Sequence, residues 1–156
     1  MKTTRNDMLV DTVRELLNRS ADAAEQGHIS LSAAILASAE SIPEFGLHFT
    51  ASERIMTAEK EELPRIFKAA CAAAEACAQT GAVQNARDAL AFAEDAAEKL
   101  PDDMRRALRP LARSAFGNLF DAASKKAQEH RAAGNAKPYA AIARAAKDRL
   151  DALGGK

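Results

Sequence analysis

The stretch from Ala69 to Pro101 constrains the fold more than any other part of the chain. It consists of an alanine-rich segment, a glycine at position 81, and a second alanine-rich segment that ends just before Pro101. Alanine is the strongest helix former, and a glycine that follows a helix adopts the left-handed conformation that ends it. Because alanine side chains are small, two such helices can lie close together. We therefore predict an antiparallel helical hairpin here, with the rest of the chain built as variations on it.

Apolar residues at helical spacing predict two helices before this hairpin. The first is expected over residues 4–26, where Thr4 and Asp7 have the spacing of a capping box. The second is expected over about residues 30–42, with Leu31 on its apolar side. Both are therefore expected to bury one side against the rest of the chain.

Prolines and glycines divide the later helical segments. A helix is expected from about residue 50, and Pro64 either ends it, kinks it or opens the next helix. A further helix is expected after Pro101, with a kink at Pro110 or Gly117 and an end at Gly134. A last helix is expected to reach about residue 153.

The fold class that follows is all-α, because the chain has few β-branched runs and no alternating apolar and polar segments. We predict six or seven helices that form antiparallel hairpins, arranged as a helical bundle or a short solenoid. At 156 residues the chain has the length of a single domain, 1–156. Its hairpin units are expected at 4–43, 51–101 and 102–153.

Three glycines that are expected to end helices suggest an internal repeat. Gly27, Gly81 and Gly134 are 54 and 53 residues apart, and aligning them places Leu36 on Leu90. A true repeat implies stacked hairpins that share a core between neighbours. Alanine-rich helices also align by chance, so the sequence leaves both interpretations open.

Two short stretches share a pattern of small and apolar residues; the first set is Ala74, Gly81, Ala86, Leu90 and Ala93, and the second is Gly27, Ser32, Leu36 and Ala39. This pattern resembles that of a known family, the tetratricopeptide (TPR) repeats. The sequence departs from the family where Ala70 and Ala73 occupy the aromatic and leucine positions, and its period is 53–54 residues rather than 34. The resemblance implies a helical-hairpin scaffold that binds partner proteins.

The charges of the chain are distributed unevenly, although basic and acidic side chains number 22 each. Residues 51–103 carry six basic and eleven acidic side chains, whereas residues 104–156 carry twelve basic and four acidic ones. Within the basic part, four arginines form a stripe on one predicted helix, opposite Leu108 and Leu111. The stripe consists of Arg105, Arg106, Arg109 and Arg113.

This arginine stripe has two interpretations. It could contact a nucleic-acid backbone without sequence preference, or an acidic partner. It could instead be a solvated helix face, or a seam that pairs with the acidic side chains Glu94, Asp95 and Glu98. The lack of aromatic residues between the arginines favours the second interpretation.

The segment after the second predicted helix is the most aromatic part of the chain. Phe45, Leu47 and Phe49 lie in an expected loop. They either plug the end of the helical core or form an exposed protein docking site.

Motifs for chemistry are weak. The only Glu-x-x-His sequence, Glu25 to His28, contains Gly27, which should break the helix and separate the two ligands. Cys71 and Cys77 are six residues apart and point in different directions on one helix, so they are read as small buried hydrophobes. We expect no catalytic, cofactor or metal site.

Function is therefore expected to be non-enzymatic. The main prediction is a protein–protein interaction or adaptor module with another protein as partner. The alternative is a small subunit that contacts nucleic-acid backbone through the basic C-terminal third, within a ribonucleoprotein or phage-encoded complex. We expect no membrane association and a cytoplasmic location, because no segment has the length and apolarity of a membrane span or a leader.

Overall fold

The computed structural model describes residues 4–42 and 49–154, which form six α-helices and no strand. In chain order they are α1 Arg5–Glu25, α2 Ile29–Glu40, α3 Phe49–Gln79, α4 Val83–Glu98, α5 Asp102–His130 and α6 Lys137–Gly154. The all-α prediction is confirmed. The helices pack as three hairpins, α1 with α2, α3 with α4, and α5 with α6.

A glycine with positive φ lies in the turn that follows the first helix of each hairpin. Gly27, Gly81 and Gly134 have φ angles of +84°, +82° and +78°. The amide of Gly27 donates to the Ala24 carbonyl at 2.9 Å, and the next amide donates to the Ala23 carbonyl at 2.9 Å. Equivalent pairs of bonds form at the other two glycines. They satisfy carbonyls that the helix end leaves open. The predicted helix stops at Gly27 and Gly81 are confirmed, whereas α5 ends at His130, four residues before Gly134.

The first two hairpins are joined through α1 and α3, which run parallel. Arg54 of α3 lies 3.0 Å from Asp7 of α1, and Arg65 lies 3.0 Å from Asp22. The earlier residue of α3 thus pairs with the earlier residue of α1, and the later residue with the later one, as parallel helices require. Arg65 also pairs with Glu25, so one guanidinium holds the last turn of α1 against α3.

The third hairpin packs on the second in a similar way, through α5 and α3. Ser114 of α5 donates to Glu75 of α3 at 3.0 Å, and the side chain of Lys126 lies over Gly81. Within the described residues, no Cα of the first hairpin's helices lies within 8 Å of one in the third hairpin's helices. The hairpins therefore form a linear stack in which each contacts only its neighbour.

Alanine makes up more than half of the buried hydrophobic residues in the described chain. The small side chains bring neighbouring helices close together, and the first hairpin shows how close. Ser20 and Ser32 are fully buried, and their Oγ atoms are 2.9 Å apart. Ser20 Oγ also bonds the Ser32 carbonyl at 2.8 Å, and Ser32 Oγ donates to the Ser20 carbonyl at 2.7 Å.

The second hairpin places alanines at the equivalent positions. Ala74 and Ala86 are each 54 residues after Ser20 and Ser32, and they are 1% and 0% exposed. A buried hydroxyl needs a hydrogen-bond partner, whereas a methyl does not. The second hairpin therefore has two buried alanines at the positions where the first hairpin has its serine pair.

Two prolines lie inside helices, where helix ends or kinks were predicted. α3 continues from Phe49 to Gln79 through Pro64, so the prediction of an end or a new start there is wrong. An interior proline costs about 3 kcal/mol. The residues around Pro64 offset this cost, because Leu63 and Ile66 are fully buried. α5 likewise runs through Pro110 without ending.

Two leucines that were predicted on apolar helix sides are exposed instead. Leu31 of α2 is 54% exposed and Leu111 of α5 is 41% exposed. Each lies on the side of its helix that no described neighbour covers. Leu108, on the same helix as Leu111, is buried as expected.

Candidate functional site

An open groove lies between the second and third hairpins. Its volume is about 700 Å³. One wall is α4, the other is formed by the first turns of α5 and the end of α6, and apolar side chains such as Phe67 and Leu108 form the floor. We call it the α4–α6 groove.

Charges of both signs line the α4–α6 groove. The carboxylates are Glu94, Asp95 and Glu98 of α4 and Asp102 of α5. The guanidinium groups are Arg105, Arg106 and Arg109 of α5 and Arg149 of α6. These eight side chains come from three helices, and the fold brings them to one surface.

Only two ion pairs form among these eight groups. Arg149 pairs with Glu94 across the groove, and Arg105 pairs with Asp102 within the first turn of α5. The other four groups have no hydrogen bond or ion pair with any described residue; they are Asp95, Glu98, Arg106 and Arg109. The groove therefore keeps two acidic and two basic groups available to solvent or to a ligand.

Arg149 links the groove to the core of the third hairpin. Its guanidinium carbon lies 5.9 Å from the centre of the Phe116 ring, a distance that permits a cation–π contact. Its Nε is buried and has no hydrogen-bond partner among the described residues. The contacts with Glu94 and Phe116 restrict this side chain, so the basic wall at α6 is held in place.

Three of the four arginines in the predicted stripe line the groove, and the fourth does not. Arg105, Arg106 and Arg109 are exposed and line the groove. Arg113 points to the end of α6, where its Nη2 donates to the Leu153 carbonyl at 2.8 Å. Because the last carbonyls of a helix lack partners within it, Arg113 caps α6 rather than extending the stripe.

The predicted acidic seam is present only in part. Glu94 does bind the third hairpin, but its partner is Arg149 and not a member of the stripe. Asp95 and Glu98 line the same groove without pairing. The pairing of Arg149 with Glu94 was not predicted, because only the stacking of the hairpins brings Arg149 opposite α4.

The predicted docking loop stays a prediction. Phe45 and Leu47 lie outside the described residues. Phe49 is the first residue of α3, and its side chain is likewise outside the described set.

The weak motifs for chemistry do not assemble into a site in the described ranges. Gly27 breaks the helix after Glu25 as predicted, and Glu25 pairs with Arg65. No group of three or more His, Cys, Asp or Glu side chains in those ranges has metal-binding geometry. Cys71 and Cys77 are both free, and burial raises the pKa of the Cys71 thiol to about 12.

Comparisons of the chain with protein families, with curated proteins and with solved structures returned no match. Among the described helices, none combines the length and apolarity needed to cross a bilayer.

Proposed function

We propose that this chain is a non-enzymatic interaction module that binds a segment of a partner protein in the α4–α6 groove. The observation that carries the proposal is the set of unpaired charges on the two walls. Asp95 and Glu98 lie on one side, and Arg106 and Arg109 lie on the other. A partner segment with side chains of both signs could pair with both walls at once, which gives orientation as well as affinity.

The hairpin stack suits such a role because it holds the walls rigidly. α4 and α5 carry the unpaired groups, and their buried faces are anchored by residues such as Leu90 and Leu119, which are 1% and 2% exposed. In this proposal the hairpins act as a TPR-like scaffold and the protein works as an adaptor in the cytoplasm. Groups on rigid helices lose little freedom when a ligand binds.

Nucleic-acid backbone binding through the same arginines is the second candidate. The excess of basic residues in 104–156 supports it. Four carboxylates share the groove with these arginines and would repel phosphate groups; they are Glu94, Asp95, Glu98 and Asp102. The mixed charge of the groove therefore favours a protein partner.

Charge reversal on each wall separates these candidates. The tagged protein is used for affinity capture from a cell lysate, followed by quantitative mass spectrometry. We compare the wild type with Asp95→Lys/Glu98→Lys and with Arg106→Glu/Arg109→Glu. The control is Arg144→Glu, because Arg144 is exposed on α6 and does not line the groove.

The proposal predicts one captured protein that both wall variants lose and the control retains. Capture that is equal in all four samples would refute it. A second arm measures binding to a fluorescent oligonucleotide as salt is raised. Binding that weakens steeply with salt and is lost only in the arginine variant would favour the nucleic-acid candidate.

A further inference from the structure

The three hairpins contact one another mainly through their first helices. α1 packs extensively against α3, and α3 packs against α5, whereas the second helices α2, α4 and α6 meet one another at only a few points. The α4–α6 groove lies on this loosely packed side of the stack. Few packing contacts are therefore available to fix the distance from one second helix to the next.

One ion pair bridges each gap between successive second helices of the described chain. Glu40, the last residue of α2, pairs at 3.1 Å with Lys99, which directly follows α4. Glu94 of α4 pairs with Arg149 of α6. We call these two pairs the hairpin bridges. Among the described side chains, no other ion pair or hydrogen bond joins α2 to α4 or α4 to α6.

The acidic member of each hairpin bridge occupies the same position in its hairpin. Glu40 and Glu94 are 54 residues apart, the interval that also separates Gly27 from Gly81. Glu40 is the only charged residue of α2. The third hairpin has Lys147 at this position, 53 residues after Glu94, and Lys147 forms no ion pair with a described residue. A glutamate thus occurs here in the two hairpins that another described hairpin follows.

Both hairpin bridges are accessible to water and salt. The side chains of Arg149 and Glu94 are 43% and 33% exposed, and those of the other bridge are 42% and 41% exposed. Ion pairs at such positions are screened by salt and change an equilibrium by at most about fivefold. A bridge of this strength can control a motion only where little packing opposes it, as between α4 and α6.

We propose that the hairpin bridges are latches that hold the second helices together, and that the bridge between Glu94 and Arg149 controls the width of the α4–α6 groove. When this bridge breaks, the third hairpin turns about the contact of α5 with α3, and α6 moves away from α4. The contact of Arg149 with Phe116 lies within the third hairpin, so it is kept in both arrangements. The groove is therefore narrow at low ionic strength and widens as the salt concentration rises.

Distances between pairs of spin labels, measured by double electron–electron resonance on the full chain, test the latch. Labels at Gln84 of α4 and Ala145 of α6 report the gap, because both residues are exposed and lie outside the groove. Cys71 and Cys77 are replaced by alanine in this background. Glu94→Gln at low salt, and separately 1 M salt without that substitution, should each raise the ratio of open to closed distances by about two- to fivefold.

The matched control is Glu98→Gln, because Glu98 also lies on α4 and lines the groove but forms no ion pair with a described residue. It should leave the distances between α4 and α6 unchanged. Labels at Ala76 of α3 and Asn118 of α5, which are both exposed, mark the hinge and should not move apart.

The first bridge supplies a second, independent comparison. Glu40→Gln should lengthen the distance between labels at Ala37 of α2 and Gln84 of α4, and it should leave the gap between α4 and α6 unchanged. Circular dichroism checks that each variant keeps the helicity of the wild type. The salt series tests the bridge even where a substitution reduces folding.

Distances that are the same in the wild type, in Glu94→Gln and in high salt would overturn the proposal. An equal change in Glu98→Gln, or an equal change between the labels on α3 and α5, would also overturn it. No partner is present in this experiment. Its failure would therefore leave the proposed function standing, which the substitutions in the two walls of the groove test separately.

Discussion

Replacing Ala74 with leucine should destabilise the protein, because this alanine sets the spacing between α3 and α4. Ala74 is 1% exposed, and the equivalent residue of the first hairpin contacts the facing helix directly. Leucine adds three carbons to a side chain that is already buried. Such overpacking costs about 1–3 kcal/mol, which corresponds to a fall in Tm of roughly 3–10 °C for a chain of this size.

The assay is thermal unfolding followed by far-ultraviolet circular dichroism. Ala76→Leu is the matched control, because Ala76 lies two residues along the same helix and is exposed. Alanine and leucine have similar helix propensities, so the control should change stability by only a few tenths of a kcal/mol. If Ala74→Leu is as stable as the wild type, or if both variants lose the same stability, the spacing argument is wrong.

Three further predictions concern glycines, thiols and a helix cap. Gly27→Ala should destabilise the protein by about 1–2 kcal/mol, because the φ of Gly27 is +84°. Gly117→Ala should stabilise it by about 0.5–1 kcal/mol, because Gly117 lies inside α5 and the added methyl has nothing within 4 Å. Urea unfolding measures both changes in stability, and two changes of the same sign would contradict the prediction. In the native protein a thiol reagent should modify the half-buried Cys77 while the buried Cys71, whose pKa is raised to about 12, reacts only on unfolding; fast reaction of both would contradict this. Hydrogen bonds with the N-cap residue Thr4 lower the pKa of Asp7 from 3.8, so its contribution to stability is present above that pH and is lost as the pH falls through the lowered pKa. Asp7→Asn should therefore lower Tm near neutral pH and leave it unchanged in strong acid. Thermal melting at a series of pH values measures this difference.

The helix ends at glycines could be predicted from the sequence, because their cause is local. A positive φ is easy only for glycine, so Gly27, Gly81 and Gly134 mark turns whatever surrounds them. The course of α3 through Pro64 could not be predicted in this way. It depends on the burial of Leu63, which only the packed hairpins create.

The α4–α6 groove could also be predicted only in part, because it is assembled by tertiary packing. The stripe of Arg105, Arg106 and Arg109 was visible as a helical repeat, but its acidic counterparts come from another helix and Arg149 from a third. The division of the stripe at Arg113 also depends on tertiary structure, since its partner is a carbonyl 40 residues away. The low charge of α2 was visible in the sequence, because a 12-residue segment with a single charged residue is unusual in a chain with 28% charged residues.

Cross-linking measures the close approach of the alanine helices directly. Cysteines replace Ala74 and Ala86 in a background without Cys71 and Cys77, and peptide mass spectrometry detects the disulfide. A disulfide needs Cα atoms about 4.4–6.8 Å apart, so it reports a contact of the kind that Ser20 and Ser32 make in the first hairpin. The packing described here predicts a rapid intramolecular disulfide between positions 74 and 86 with full helicity, and none when the first cysteine is moved to position 76. Slow or absent bonding at 74 and 86, or equal bonding from 76, would contradict it.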